Sequence, residues 1–314
     1  MLERSTGRAL EHAAATVAGV MEDSDLSFEG AIQTLEKALN GRHGFPLIEL
    51  LRKEVLRGAK DRKQVIGVLR HFGEVCEPSR RTTSEEAARK LAEVVAGGRR
   101  LLLTTGYSEA VARVLRELAQ HDVTFSVILV RADVSSDGKD DLVTEQRLMK
   151  QELYLSPKLV GRVTRTSFTR LEQAKLPLSR EGSVIVGAGA VSTQGELVQP
   201  RGGRKLYEDV CRLVMPSQKA PQLALHRARI AVCEGFKIFE PRGIERAWRE
   251  RLLTSFKLGE DYDSLLTDGR EIRSLPAGQP NVLEELRTGW LATLERKLSS
   301  VESSDQSRAS APSD

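Results

Sequence analysis

The chain has 314 residues, which is enough for one large domain or two ordinary domains with a sizeable core. Its 48 basic and 44 acidic side chains leave a net charge of only +4, which does not by itself indicate a nucleic-acid-binding protein. No segment approaches the run of about 18 apolar residues that a membrane-spanning helix needs. The acidic residues near the amino terminus do not fit a signal peptide. The composition therefore favours a cytoplasmic globular protein that contacts neither membranes nor nucleic acid directly.

The three cysteines, Cys76, Cys211 and Cys233, are far apart and lack the spacing of a zinc site. Reduced, partly buried thiols are the expected state. The sequence predicts neither a metal site nor a cofactor.

Residues 1–96 are predicted to form an α-helical N-terminal domain. Apolar residues recur at three- and four-residue steps in segments that begin near Leu10, Phe28 and Leu47. Pro78 is predicted to end a further helix, and Thr83-Ser84 to cap the next one.

The helical spacing of apolar residues gives way to short apolar runs after Gly97-Gly98. Five short apolar or β-branched runs are mostly separated by helical stretches, which predicts a mostly parallel sheet covered by helices. These runs are Leu101–Leu103, Phe125–Val130, Arg162–Thr164, Val184–Val186 and Ile230–Val232. Residues 97–298 are therefore predicted to form an α/β domain, and the Ser-rich residues 299–314 a disordered tail.

A strand, a polar turn and a helix follow one another from Leu101 onward. Backbone amides in such a turn point out of the carboxyl end of the strand, where a phosphate can bind. An ordinary turn with a helix N-cap explains the same residues equally well. The candidate ligand-binding residues of this turn are Thr104, Thr105, Gly106, Tyr107 and Ser108.

Two further loops contain glycines next to a strand or helix end. Gly187-Ala-Gly189 is similar to the opening of a dinucleotide fingerprint, but no long helix and no acidic ribose-binding residue follow. We therefore interpret it as a strand-end loop and not as an NAD site. Arg201, Gly202 and Gly203 precede a predicted helix and would suit a phosphate. A solvated basic turn is a slightly better explanation of this segment.

No catalytic constellation emerges from the sequence. The five histidines, His12, His43, His71, His121 and His226, lie in helices or at their ends, away from the strand-end turns. None of the cysteines follows a strand as a clear nucleophile. The sequence thus predicts an anion pocket without acid–base machinery.

Five segments together resemble the family of regulatory subunits of translation initiation factor 2B. The family's motifs include a strand followed by a Thr-His-x-x-Ser turn, a Val-Gly-Ala-x-x-Val-x-x-Asn-Gly segment and a Val-x-x-Glu-Ser-Phe-Lys-Phe strand. Thr105 stands where the family commonly has the histidine. The matching segments are Leu102–Leu115, Phe125–Val130, Val184–Gly195, Ile230–Phe239 and Leu265–Gly269.

The same superfamily contains isomerases of methylthioribose 1-phosphate and ribose 1,5-bisphosphate. The resemblance implies for those enzymes a catalytic Cys after the early strand and a catalytic Asp in a Gly-Ala-Asp segment. In this chain the early turn has no Cys, and Gly189 occupies the position of the Asp. An aldose–ketose isomerase of this superfamily is the alternative function. Without the acid and the base, the chain is not expected to be an enzyme.

The resemblance implies a helical N-terminal domain followed by a Rossmann-like α/β domain. It implies a non-catalytic subunit that assembles or regulates the guanine-nucleotide exchange complex of initiation factor 2. The expected partners are a second copy, related subunits, initiation factor 2 and a phosphorylated small molecule. Gly187, Gly189 and Lys237 complete the predicted ligand-binding set for a phosphate or sugar phosphate.

Overall fold

The fold was analysed in a computed structural model of the chain. The structure describes residues 6–27, 29–30, 33–34, 61–132, 141–200, 204–215, 228–241, 253–275 and 281–309. The predicted helical segments that begin near Phe28 and Leu47 lie almost entirely outside the described residues. Within the described residues, no helix combines the length and the apolar composition that spanning a membrane requires.

The helical region contains α1 (Thr6–Asp23) and the 35-residue helix α2 (Arg62–Ala96). Helix α1 packs its buried Ala14, Val17 and Met21 against the amino-terminal half of α2. Helix α2 begins where the side chain of Asp61 accepts a hydrogen bond of 2.9 Å from the backbone N–H of Gln64.

The predicted break at Pro78 is wrong, and Thr83 does not open a new helix, because α2 runs continuously through both residues. An internal proline removes one backbone hydrogen bond and costs about 3 kcal/mol in an unsupported helix. In α2 both flanks are anchored, since Cys76 and Ala88 are fully buried on either side of Pro78. Tertiary packing therefore outweighs the local cost.

The central sheet has seven strands: β1 (Leu101–Thr104), β2 (Ser126–Arg131), β3 (Val163–Ser167), β4 (Gly182–Gly187), β7 (Arg229–Val232), β10 (Ser264–Thr267) and β11 (Arg270–Ile272). Their order is β11-β10-β7-β4-β1-β2-β3, and every pairing is parallel except that of β10 with β11. All five apolar runs that were predicted to be strands are confirmed, as is the α/β fold class with its mostly parallel sheet.

A second sheet contains the four strands β5 (Ala190–Ser192), β6 (Glu196–Pro200), β8 (Ile238–Phe239) and β9 (Leu253–Lys257). Their order is β8-β5-β6-β9. The interpretation of Gly187-Ala-Gly189 as a strand-end loop is confirmed, because β4 ends at Gly187 and β5 begins at Ala190. The sequence analysis did not predict β5 itself. Strands of two or three residues are too short to show an alternating pattern.

Helices cover both faces of the central sheet. Besides α2, they are α3 (Glu109–Leu118), α4 (Asp141–Tyr154), α5 (Phe168–Gln173), α6 (Leu178–Glu181) and α7 (Arg204–Val214). The last helix, α8 (Val282–Ala309), packs mainly on α2, β8 and the segment Gly235–Lys237. Leu102 belongs to the core shared with α2, α3 and α4, whereas its neighbour Leu103 belongs to the core shared with α5, α6, α7 and the second sheet. Successive strand residues thus face opposite layers.

Helix α2 contributes to two hydrophobic cores. Its residues up to Cys76 pack with α1, and its residues from Ala87 onward pack with α3 and the sheet. The division of the chain at residue 96 coincides with the end of this helix and stays a prediction.

The last helix, α8, continues to Ala309, into the segment that the composition predicts to be disordered. Extending an existing helix adds one backbone hydrogen bond per ordered residue and needs no new nucleus. The upstream part of α8 supplies that nucleus, because Leu283, Trp290 and Leu294 are buried. Residues 310–314 lie outside the described residues.

Asp268 joins α2 to the carboxyl end of the sheet. Its Oδ1 accepts hydrogen bonds from the hydroxyls of Ser79 (2.6 Å) and Thr83 (2.8 Å) and from the backbone N–H of Gly235 (3.1 Å). The backbone N–H of Asp268 donates to Thr83 Oγ1 at 3.0 Å. Asp268 has a φ of +35°, a region that Asp and Asn adopt more readily than most residues. We call these hydrogen bonds the Asp268 clasp.

We expect Asp268→Ala to lower the free energy of unfolding by about 3 kcal/mol, because it removes the charged acceptor to which the hydroxyls of the buried Ser79 and Thr83 donate. Asp268→Asn keeps one acceptor oxygen and tolerates the positive φ, so it should lower the free energy of unfolding by only about 1 kcal/mol. Urea denaturation followed by circular dichroism measures both. The exposed Asp122→Ala serves as the control. Equal losses for Asp268→Ala and Asp268→Asn would contradict this account.

Candidate functional site

The candidate site lies where the chain reverses its order across the sheet. Strand β1 lies between β2 and β4; the chain moves outward from β1 to β2 and β3, then returns to place β4 on the other side of β1. In open parallel sheets, ligands bind outside the carboxyl ends of the strands at such a switch point. The carboxyl ends of β1 and β4 carry two of the predicted segments.

The turn after β1 combines a glycine in the left-handed region with a helix cap. Gly106 has a φ of +100°, which a residue with a side chain rarely adopts. Ser108 is the N-cap of α3, and its Oγ accepts a hydrogen bond of 3.3 Å from the backbone N–H of Val111. Thr104 is buried, whereas Thr105, Tyr107 and Ser108 are half-buried. The N-cap interpretation is thus confirmed, and the anion-binding interpretation stays a prediction.

The end of β4 packs directly on this turn. A Cβ added to Gly187 would lie 1.8 Å from Oγ of Ser108, so only a glycine fits here without a shift. The carbonyl of Gly187 also accepts a hydrogen bond of 2.7 Å from Nε2 of Gln199. The structure therefore brings Gly187 and Ser108 together, as expected for the ends of neighbouring parallel strands.

Gly189 lies against the second sheet. Its backbone N–H donates to the carbonyl of Val198 at 3.0 Å, and an added Cβ would lie 2.9 Å from that same oxygen. Gly189 therefore allows β6 to approach the end of β4 closely.

Lys237 follows β7 in the short 3₁₀ helix Gly235–Lys237. Its side chain is 7% exposed, and its Nζ lies 2.8 Å from Oε2 of Glu234, which is equally buried. The same ammonium group lies 5.7 Å from the ring centre of Phe236. Lys237 is thus engaged in a buried ion pair, a partnership that the sequence analysis did not anticipate. Arg201, Gly202 and Gly203 lie outside the described residues.

Two buried thiols lie near this ion pair. Burial raises the pKa of the Cys76 thiol well above its ordinary value, and the charge of Glu234 raises it further. Burial likewise raises the pKa of Cys233. A thiol held in its neutral form is a poor nucleophile.

Sequence reasoning missed an ionic connection between α2 and the start of α3. Nε of Arg113 lies 3.2 Å from Oε1 of the buried Glu109, and Nη1 of Arg113 lies 2.9 Å from Oε1 of Glu77. Burial works to lower the pKa of Arg113, but the hydrogen bonds and charges of Glu77 and Glu109 raise it above its ordinary value. The i,i+4 spacing of Glu109 and Arg113 was an available signal, whereas Glu77 lies 36 positions away from Arg113.

These groups determine what the site can do chemically. The turn after β1 offers hydroxyls and backbone amides, which suit an anion. The nearby ionisable groups Glu109, Glu234 and Lys237 are held in buried ion pairs, so using one for proton transfer would leave its partner charge uncompensated. The described residues contain no group of three His, Cys, Asp or Glu side chains placed to hold a metal ion.

We expect Gly187→Ala to destabilise the protein by about 1–3 kcal/mol, because its methyl group overlaps the side chain of Ser108. Ser108→Gly alone should cost only a few tenths of a kcal/mol, since glycine is tolerated at an N-cap. The double variant should recover at least about half of the loss caused by Gly187→Ala. A double-mutant cycle from urea denaturation tests this coupling, and strictly additive losses would contradict it.

No family model matches the chain, and no curated protein matches its sequence. Its structure is nevertheless similar to several solved structures, including two that align with most of its length. One is the translation initiation factor eIF-2B of Pyrococcus horikoshii OT3, with a TM-score of 0.58 and 14% identity, over 86% of this chain and 92% of that chain. The other is the tetrameric eIF2B beta2-delta2 complex of C. thermophilum, with a TM-score of 0.54 and 14% identity, over 92% of this chain and 89% of that chain. The predicted resemblance to initiation factor 2B subunits is thus confirmed at the level of the fold.

Proposed function

We propose that the chain is a divergent, non-catalytic regulatory subunit of the translation initiation factor 2B type. The observation that carries the proposal is the similarity of its fold to Pyrococcus horikoshii eIF-2B over 92% of that chain. Coverage this wide includes the helical region as well as the sheet. The five matching sequence segments support the same assignment, because they follow the family's order along the chain.

The proposal of a non-catalytic role depends on residues at the strand ends. Gly189 occupies the position of the isomerases' Asp, and the Cβ of any side chain there would lie 2.9 Å from the carbonyl oxygen of Val198. The turn after β1 carries Thr105 and Ser108 and no Cys. These features support binding over isomerisation, and no described contact favours the isomerase alternative.

The proposed partners are related subunits and initiation factor 2. The C. thermophilum structure is a tetrameric complex of beta and delta subunits, which supports assembly of this chain into a homodimer or a hetero-oligomer. In this proposal the chain acts in the cytoplasm, within the complex that exchanges guanine nucleotide on initiation factor 2.

Assembly and activity test the proposal together. We expect multi-angle light scattering at micromolar concentration to give at least twice the 34.7 kDa of one chain, or co-purification with co-expressed initiation factor 2B subunits of the same source. The chain should alter release of labelled GDP from initiation factor 2 only in the presence of those subunits.

Two results would contradict the proposal. One is a monomer that associates with none of those subunits. The other is turnover of methylthioribose 1-phosphate or ribose 1,5-bisphosphate at an enzymatic rate of about 1 s⁻¹ or more.

We further propose that the turn after β1, together with Gly187, Gly189, Lys237 and Arg201–Gly203, binds a phosphate or sugar phosphate. The position at the switch point of the sheet and the N-terminus of α3 support this pocket. It is a separate claim from the assembly of the subunit.

Thermal unfolding with ribose 5-phosphate and with GMP tests the pocket. At about 100 times the dissociation constant, a bound ligand should raise the melting temperature by about 5 °C. Thr105→Val combined with Ser108→Gly removes two hydroxyls and should abolish that rise. Thr124→Val, at the opposite end of the sheet, is the matched control. An unchanged rise in the double variant would dismiss the turn as the binding site.

A further inference from the structure

Strand β3 forms one edge of the central sheet. It pairs with β2 on one side, and within the described residues no strand pairs with its other side. Helices α4 and α5 pack against β3. An unpaired strand edge is a template for an additional strand.

The backbone of β3 presents hydrogen-bonding groups at this edge. The carbonyl of Arg162 accepts a hydrogen bond of 2.8 Å from the N–H of Val127 in β2. Because backbone groups alternate in direction along a strand, those of Val163 and Arg165 are directed away from β2. In the described part of the chain these groups have no backbone partner.

Exposed apolar side chains lie just before this edge. Leu155 is 69% exposed and Val160 is 59% exposed, the two highest values among the large exposed hydrophobic residues of the described chain. They flank the 3₁₀ helix Pro157–Leu159, which leads into β3. An added strand could cover them while it pairs with the backbone.

The same segment concentrates positive charge. Residues 147–181 contain eight lysines and arginines against three glutamates, a net charge of +5, whereas the whole chain carries +4. Lys158, Arg165 and Arg170 are exposed and Arg162 is half-buried. None of these four forms an ion pair with another described residue. We call this surface the basic edge, made of β3 with Lys158, Arg162, Arg165 and Arg170.

The positive charge of the basic edge favours an acidic segment over a second copy of the chain as its binding partner. Two copies meeting edge to edge would bring like charges together, which is the usual protection of an edge strand against self-association. The same cations attract a segment that carries carboxylates. An acidic strand with alternating apolar residues satisfies the backbone, the charges and the exposed Leu155 and Val160 together.

We propose that the basic edge binds an acidic, extended segment of a partner protein, which adds to the central sheet as a strand beside β3. Main-chain hydrogen bonds supply part of the affinity, and the cations select acidic sequences. This proposal does not depend on a role in translation.

Fluorescence anisotropy tests the proposal. The full-length chain is titrated into a labelled ten-residue peptide in which glutamate alternates with valine. We expect saturable binding that weakens as salt is raised from 50 to 500 mM, because exposed charges are screened. The same peptide with alternate backbone nitrogens methylated keeps its charge but loses its strand hydrogen bonds. It should bind at least about tenfold more weakly.

Charge reversal locates the binding surface. Lys158→Glu combined with Arg165→Glu should weaken peptide binding at least about tenfold. Arg81→Glu combined with Arg212→Glu makes the same change in net charge at side chains that are 75% and 73% exposed elsewhere, and should leave binding unchanged. Circular dichroism confirms that each variant is folded.

Three outcomes would overturn the proposal. The first is no binding of the peptide at millimolar concentration. The second is equal binding of the methylated peptide or of a single-stranded oligothymidylate, which would show charge attraction without strand pairing. The third is an equal effect of the two double variants, which would show that net charge alone matters.

Discussion

The carboxylate of Asp268 is a contact through which the longest helix of the described chain meets the carboxyl end of the sheet. It lies just beyond β10, accepts hydrogen bonds from two side chains of α2, and reaches the backbone of Gly235 beyond β7. The clasp thereby holds the carboxyl ends of two strands in register with α2. The segment after β7 also carries the buried pair of Glu234 and Lys237, so the position of that pair depends on the same contact. A hydrogen bond to an ionised group is worth about 1.5–3 kcal/mol, which is large beside the net stability of a typical domain.

The sequence predicts five of the seven strands of the central sheet, because most of these five are short apolar runs bounded by glycines or polar turns. Leu101–Leu103 and Val184–Val186 are of this kind, and their parallel pairing follows from the helices between the strands. Strands β10 and β11 were not predicted. Two strands of the second sheet cannot be predicted in this way, because β5 has three residues and β8 has two, which is too short to show an alternating pattern. The sequence around Pro78 does not predict that α2 continues through the proline either, because the helix is stabilised there by the burial of residues on both sides of it.

The candidate site was partly predictable for a topological reason. Two strand ends that each carry small or polar residues must lie side by side when the strands are neighbours, and Ser108 and Gly187 do so. What the sequence could not provide are contacts between distant positions: Ser79 and Asp268 are 189 residues apart. Nor could it show that Lys237 is buried against Glu234, because its spacing of three residues is common on exposed surfaces as well.

The continuity of α2 has a consequence for how the chain can be divided in evolution. The helix spans about 50 Å at 1.5 Å per residue, and its two halves complete different cores. Its carboxyl-terminal half covers α3 with Leu91 and Val95, so a sheet that lost the helix would expose that apolar surface to water. Exchange of either part between proteins would therefore leave one of these cores incomplete. Sequence changes in the helical region are therefore constrained by the sheet, and those in the sheet by the helical region. We expect the two regions to have diverged together.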